Sequence, residues 1–307
     1  MTVTHHDEHL ADRAAMIAMR AFMALSAALS VTPEGRPRYD ELMARTPAPE
    51  GVQWRAGQVD GVPGWWCTPA EAVSGKAILY LHGGCYVIGS AAAYRGFASQ
   101  IAARANAATF VADYRLAPEH PFPAAFEDAR RALDGMQAEG FDTVALAGDS
   151  AGGGLALAVL ASGAATTRAV AAAVFSPWID MSLSGATMES RAMVDPILSR
   201  ATLQQAVDQY LAGGDPNDPR TNAMLGELAN LPPVRIDVGD DEVLLDDTLR
   251  FHALANAAQQ PPCDVHVWKG MIHVFLTNVG MLKASPEALD GVGAFLRSTL
   301  SIEQRPI

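Results

Sequence analysis

The sequence predicts an α/β fold: a mostly parallel central sheet with helices on both faces and a helical cap. Three observations carry this reading. Short apolar runs alternate with helix-length stretches over most of the chain. Half of the 307 residues are hydrophobic and only 18% are charged, which supplies a large core. Residues 181–226 then interrupt the rhythm with prolines, glycines and four methionines between two strand-like runs.

The elements follow in order. Residues 10–30 place Met16, Met19, Met23 and Leu25 at helical spacing. Pro33, Pro37, Pro47 and Pro49 are expected to break regular structure after it. Alternation over 52–67 suggests a strand pair turning at Asp60-Gly61. Strands are expected at 77–81, 108–112, 144–147, 170–176, 234–238 and 265–268, and helices at 93–104, 124–138, 151–161, 246–258 and 286–299. The interrupting segment holds a helix at 201–211 and the turn-rich stretch 213–219. Its methionines, Met181, Met188, Met193 and Met224, suit a cap core more than an adaptable acyl pocket. The division expected is 1–45 as the N-terminal part of the cap, 46–180 as the first part of the core, 181–226 as the cap insertion, and 227–307 as the second part of the core.

Composition excludes several classes. Lys plus Arg is 22 and Asp plus Glu 34, a net charge of −12 with no basic run, which argues against nucleic acid. Cys67, Cys85 and Cys263 are too few and too scattered for a disulfide framework or a zinc site, and they suit a reducing compartment. Residues 1–12 are polar and acidic without a secretory pattern, and the charge-free run 150–167 carries four glycines. The expectation is a cytoplasmic protein with no membrane partner.

The chemistry centres on Gly148-Asp149-Ser150-Ala151-Gly152, set between an apolar strand and a small-residue helix. A G-x-S-x-G turn in that setting lifts a serine hydroxyl above the sheet edge, but five residues alone are a weak signal. A serine needs a base. Of eight histidines, His5, His6 and His9 lie on a terminus expected to be frayed. His252 falls in a helix, His266 in a strand, His120 in a proline-bounded loop and His82 before a glycine pair. His273 differs, standing just after the last strand where a loop can carry it over the sheet edge. An acid is expected after strand 234–238, where Asp240, Asp241, Glu242, Asp246 and Asp247 all compete. Asp246 and Asp247 are well placed to cap the following helix. Oxyanion donors fit the amide of Ala151 and the loop His82-Gly83-Gly84-Cys85.

Taken together these residues resemble the hormone-sensitive-lipase-like esterases, the α/β-hydrolase branch with a His-Gly-Gly-Gly loop. The resemblance spans Lys76 to Phe275 and includes residues 82–90, 114–125, 148–153, 176–180 and 195–199. It implies an α/β-hydrolase fold with Ser150 as nucleophile, His273 as base, and the amides of Gly84, Cys85 and Ala151 as oxyanion donors. Cys85 replaces the third glycine of the loop, leaving the backbone N–H in place. The family's (D/E)-x-L-x-D frame falls on Glu242-Val243-Leu244-Leu245-Asp246, which selects Glu242; Asp241 fits only with a one-residue shift. Tyr86, Trp178 and Met181, within or beside these segments, are the expected substrate contacts. The implied enzyme needs no cofactor or metal, takes a small-molecule ester, and is compatible with a homodimer. Competing readings are a lactone hydrolase, an acyltransferase or amide hydrolase using the same residues, and a non-catalytic small-molecule receptor on the same fold. The presence of His273 weighs against the receptor.

Overall fold

The computed structural model describes residues 2–25, 30–258 and 263–302. The chain begins with β1 (Val3–His6), α1 (Leu10–Leu25) and α2 (Arg36–Met43). The hairpin of β2 (Val52–Val59) and β3 (Val62–Pro69) turns at Asp60 and Gly61, both at positive φ (44° and 74°), as a two-residue hairpin turn requires. Strands and helices then alternate: β4 (Lys76–Leu81), α3 (Ala91–Ala105), β5 (Ala108–Ala112), α4 (Ala124–Gly135), β6 (Thr143–Asp149), α5 (Ser150–Ala161) and β7 (Ala172–Phe175). Residues 181–226 contribute α6 (Thr187–Ser190) and α7 (Arg200–Leu211). The chain returns through β8 (Val234–Gly239), α8 (Leu245–Ala257), β9 (Cys263–Trp268) and α9 (Ala284–Leu300).

The described strands form one sheet in the order β1-β9-β8-β7-β6-β4-β5-β3-β2, parallel except where β3 meets β5 and β2. Its central strands β4, β6 and β7 are largely apolar because both faces are covered. From β4, Ala77, Leu79 and Leu81 enter a core with α4, α5 and α8, while Ile78 and Tyr80 enter a second core with α3 and α9. This stacking brings the carboxyl ends of β4, β6, β7, β8 and β9 to one edge, where open α/β sheets bind ligands.

Three local expectations change. The polar terminus is an edge strand rather than frayed chain. β1 runs parallel to β9, with Val265 N donating to Thr2 O (3.0 Å) and Lys269 N to His6 O (3.1 Å). The His6 ring stacks on Trp268 at 3.8 Å, so an aromatic contact does the work of an apolar pattern. The prolines do not prevent a helix at 36–43, because Pro37 sits in the first turn where no N–H is needed. The first helix runs to Leu25, and residues 26–29 of the expected span lie outside the described residues. Within 181–226, Met181, Met188 and Met224 are buried as a packed core would have them, whereas Met193 is 95% exposed. Among the described residues no helix is long and apolar enough to cross a membrane.

Candidate active site

Ser150 stands where β6 passes directly into α5, at φ +51°. That left-handed conformation costs a residue with a Cβ roughly 1–3 kcal/mol and persists only where the surroundings enforce it. The flanking glycines make room for it. A Cβ on Gly148 would meet the carbonyl oxygen of Gly152 at 2.6 Å, and a Cβ on Gly152 would run into the carbonyls of Leu81 and His82.

His273, on the loop after β9, approaches from the other side. Its Nε2 lies 2.9 Å from Ser150 Oγ and its Nδ1 lies 2.8 Å from Glu242 Oε2. An ionised carboxylate can only accept, so Nδ1 carries the proton and the Nε2 lone pair faces the serine. The other Glu242 oxygen accepts from Gly239 N (2.7 Å) and Ser176 Oγ (2.8 Å), and Ser176 Oγ accepts from Val274 N (3.0 Å). Ser176 therefore ties the acid to the histidine loop. All three relay groups are shielded, with Glu242 fully buried, Ser150 5% exposed and His273 7% exposed. Burial alone would lower the His273 pKa; the hydrogen bond and charge of Glu242 outweigh it, so the imidazole is held above its ordinary value.

The neighbouring carboxylates are engaged elsewhere. Asp241 pairs with Arg20 of α1 at 2.7 Å, and Asp240 accepts from Gly270 N at 2.6 Å. Asp246 and Asp247 do not cap α8, whose N-cap position is Leu244 with no side-chain cap bond. They lie in its first turn and reach across to the incoming chain instead. Asp246 accepts from Ala186 N, and Asp247 accepts from Ile179 N and Asp180 N, each at 2.9 Å. Burial pushes the Asp247 carboxyl up to about 7 against those bonds.

The third component is the loop after β4. Gly84, Cys85 and Tyr86 have consecutive positive φ values of 116°, 56° and 63°. Among the described residues the amides of Gly84, Cys85 and Ala151 have no acceptor within the protein, which leaves three donors beside the serine segment. Burial pushes the Cys85 thiol up to about 12, so its sulfur is a packed side chain and not a thiolate. Tyr86 and Trp178, expected as substrate contacts, are buried with ring centroids 6.1 Å apart, and Met181 is buried in the same core.

Sequence reasoning overlooked Asp149, the variable residue of the elbow. Its Oδ1 accepts from Tyr80 Oη (2.6 Å) and from Gly83 N (2.9 Å), and its Oδ2 from Tyr94 Oη (3.0 Å). The residue before Ser150 thus anchors the amide of Gly83 in the loop after β4. Asp195 was likewise quoted only as part of a motif; its Oδ2 accepts from Val243 N (2.9 Å), next to Glu242. A carboxylate in an otherwise apolar elbow was the available signal for Asp149. Chemically, the arrangement can deprotonate a hydroxyl, hold the resulting imidazolium, and present amides to an oxyanion.

Comparison with known proteins agrees with the fold. Residues 78–277 match the family described as alpha/beta hydrolase fold. An acetyl-hydrolase from Streptomyces hygroscopicus is 40% identical over 239 residues, covering 76% of this chain and 79% of that protein. The crystal structure of an esterase from the bacterial hormone-sensitive lipase family is 34% identical, with a TM-score of 0.87 over 95% of this chain and 98% of that one. A hormone-sensitive lipase from a metagenome library is 28% identical, with a TM-score of 0.89 over 96% of this chain and all of that one (100%).

Proposed function

This chain belongs to the hormone-sensitive-lipase group of α/β-hydrolases and is a carboxylic ester hydrolase, and from that premise we propose that it is a serine esterase of short-chain esters working through an acyl-enzyme. The observation that carries the mechanism is the shielded relay from Ser150 Oγ through His273 to Glu242. Ser150 Oγ attacks the acyl carbon while His273 Nε2 takes its proton, and the carbonyl π pair moves onto oxygen. The amides of Gly84, Cys85 and Ala151 receive that charge. Collapse breaks the ester C–O bond, His273 returns the proton to the leaving alkoxide, and water repeats the sequence on the acyl-enzyme. Glu242 keeps the imidazole in the productive tautomer and stabilises its charged form.

The preference for a small acyl group rests on the acetyl-hydrolase relative and on the near-complete shielding of Ser150. We assign residues 1–45 and 181–226 to a cap over the sheet edge. A cleft of about 290 Å³ between α1 (Arg20, Met23, Ala24) and residues 193–196 is the route we assign to the substrate. Three free, buried thiols suit a cytoplasmic setting.

The test is a series of p-nitrophenyl esters from acetate to octanoate, with a lactone and an anilide alongside. Acetate or butyrate should be the best substrate, and Ser150→Ala should lower kcat by roughly 10⁴–10⁶. Near-normal turnover in that variant sinks the serine mechanism, and a preference for octanoate sinks the short-chain assignment.

A further inference from the structure

We propose that two residues of the assigned cap, Tyr210 and Arg36, are positioning residues that hold the oxyanion loop in its donor geometry. The inference rests on the serine-esterase reading above and adds to it a mechanical link between cap and transition state.

The loop cannot hold its shape alone. Its own hydrogen bonds are Val87 N and Ile88 N to Gly84 O, at 3.0 and 2.9 Å, and His82 Nδ1 to Gly83 O at 2.7 Å, which close turns without fixing where the loop points. Cys85 and Tyr86 sit in a left-handed conformation that side chains with a Cβ disfavour, so the relaxed loop would swing its amides away. Asp149 fixes one end through Gly83 N, and Tyr114 Oη donates to His82 O at 2.6 Å. The far end is held from the cap.

Tyr210, on α7, lays its ring flat on Tyr86, with centroids 3.9 Å apart and planes 9° off parallel. Phe122 fixes that ring from the side, edge-on at 5.9 Å, and its amide donates to Tyr210 O at 2.7 Å. The Tyr210 hydroxyl is buried with no partner among the described residues, so the ring and not the hydroxyl makes the contact. Arg36, at the start of α2, donates from Nε to Val87 O (2.8 Å) and from Nη2 to Ala117 O (3.0 Å). The amide of Ala117 in turn donates to Tyr86 O at 2.9 Å. Both parts of the assigned cap therefore grip the same four-residue stretch, one by stacking and one through carbonyls.

The experiment compares Tyr210→Leu, Tyr210→Phe, Arg36→Met and Ser150→Ala with the native enzyme on p-nitrophenyl acetate. It also measures inhibition by a trifluoromethyl ketone, whose carbon is attacked by Ser150 Oγ while the carbonyl electron pair goes to oxygen and the proton to His273. Tyr210→Leu and Arg36→Met should each lower kcat roughly tenfold or more with KM within about twofold, and weaken the ketone by the same factor. Tyr210→Phe should restore native values because the ring remains. Arg36 is partly exposed, so its variant decides the matter if Tyr210→Leu does not fold. Native kcat and ketone affinity in the folded variants overturn the proposal, as does a Tyr210→Phe as impaired as Tyr210→Leu. Full activity in Ser150→Ala would instead sink the serine-esterase reading itself.

Discussion

The relay half of the site and its donor half differ in how their strained residues are placed. Ser150, Glu242 and His273 follow β6, β8 and β9 at one sheet edge; glycines 148 and 152 around the elbow and Gly239 N on the acid are near in sequence, while Ser176 reaches Glu242 from the end of β7. The donor half is a loop with two strained non-glycine residues, Cys85 and Tyr86, gripped by Asp149, Tyr114, Arg36 and Tyr210 from elsewhere in the chain. The relay half has strained non-glycine residues too, Ser150, Ser176 and Val274, but each stands singly in its own loop or turn. Two in succession need remote side chains, so changes far from the chemistry should reach it.

The harshest way to break this comparison is Gly152→Ala, because the added Cβ would press on the carbonyls of both Leu81 and His82. Those are backbone atoms with no rotamer to yield, and they lead into the donor loop, so both halves fail together. A stability loss of about 3 kcal/mol or more and at least a roughly 10³-fold fall in activity are expected by thermal melts and turnover. A stable, active variant would show that the elbow is not locally constrained.

Next in size is the acid. Glu242→Gln keeps the shape but leaves His273 without a carboxylate, and kcat should fall roughly 10³–10⁴-fold. Asp241→Asn removes a partly exposed pair with Arg20 and should cost at most about threefold. A larger loss in Asp241→Asn reverses the assignment. The pH profile sharpens the same point. Because the His273 pKa is raised and the neutral imidazole is the base, kcat/KM should fall about tenfold per unit as pH drops below a value above 6.5. In Glu242→Gln burial still lowers the ring's pKa while the charge of Glu242 no longer raises it, leaving those of Asp195 and Asp149, so that limb should move to lower pH. A limb that stays in place or moves up would mean that Glu242 does not set the histidine's pKa.

What the sequence disclosed follows the same division. Parallel strands covered on both faces carry apolar runs, unbroken in β7 and interrupted by Arg235 and Asp237 in β8 and by Asp264 and His266 in β9, and β4 to β9 could be read within a few residues of their bounds. Ser150 stands in a turn motif and His273 just after the last strand, whereas the choice of Glu242 among its acidic neighbours came from the family resemblance alone. β1 was illegible because an edge strand with exposed Thr4 and His5 has no apolar pattern, and its aromatic anchor, Trp268, is supplied by β9. Asp246 and Asp247 looked like caps because a helix follows them, and nothing local announces the amides of 179, 180 and 186 as their acceptance targets. Arg36 lies 51 residues from the carbonyl it holds and in a stretch that proline spacing disguised. Contacts across such separations leave no trace in composition or period.

The smallest expected effect tests whether the donor half really depends on remote grips and not on its own side chains. Cys85→Gly relieves the left-handed strain, worth about 1–2 kcal/mol. It also loses a buried side chain, about 1 kcal/mol, and adds unfolded-chain freedom, about 0.5–1 kcal/mol. These nearly cancel, so the melting temperature should move by no more than about 3 °C. The amide proposed to face the oxyanion is untouched, and Tyr210 and Arg36 still hold the residues that follow it. Activity should therefore stay within about threefold. A hundredfold fall on p-nitrophenyl acetate, with melting unchanged, would mean that the thiol itself takes part, against a pKa of about 12 that keeps it protonated.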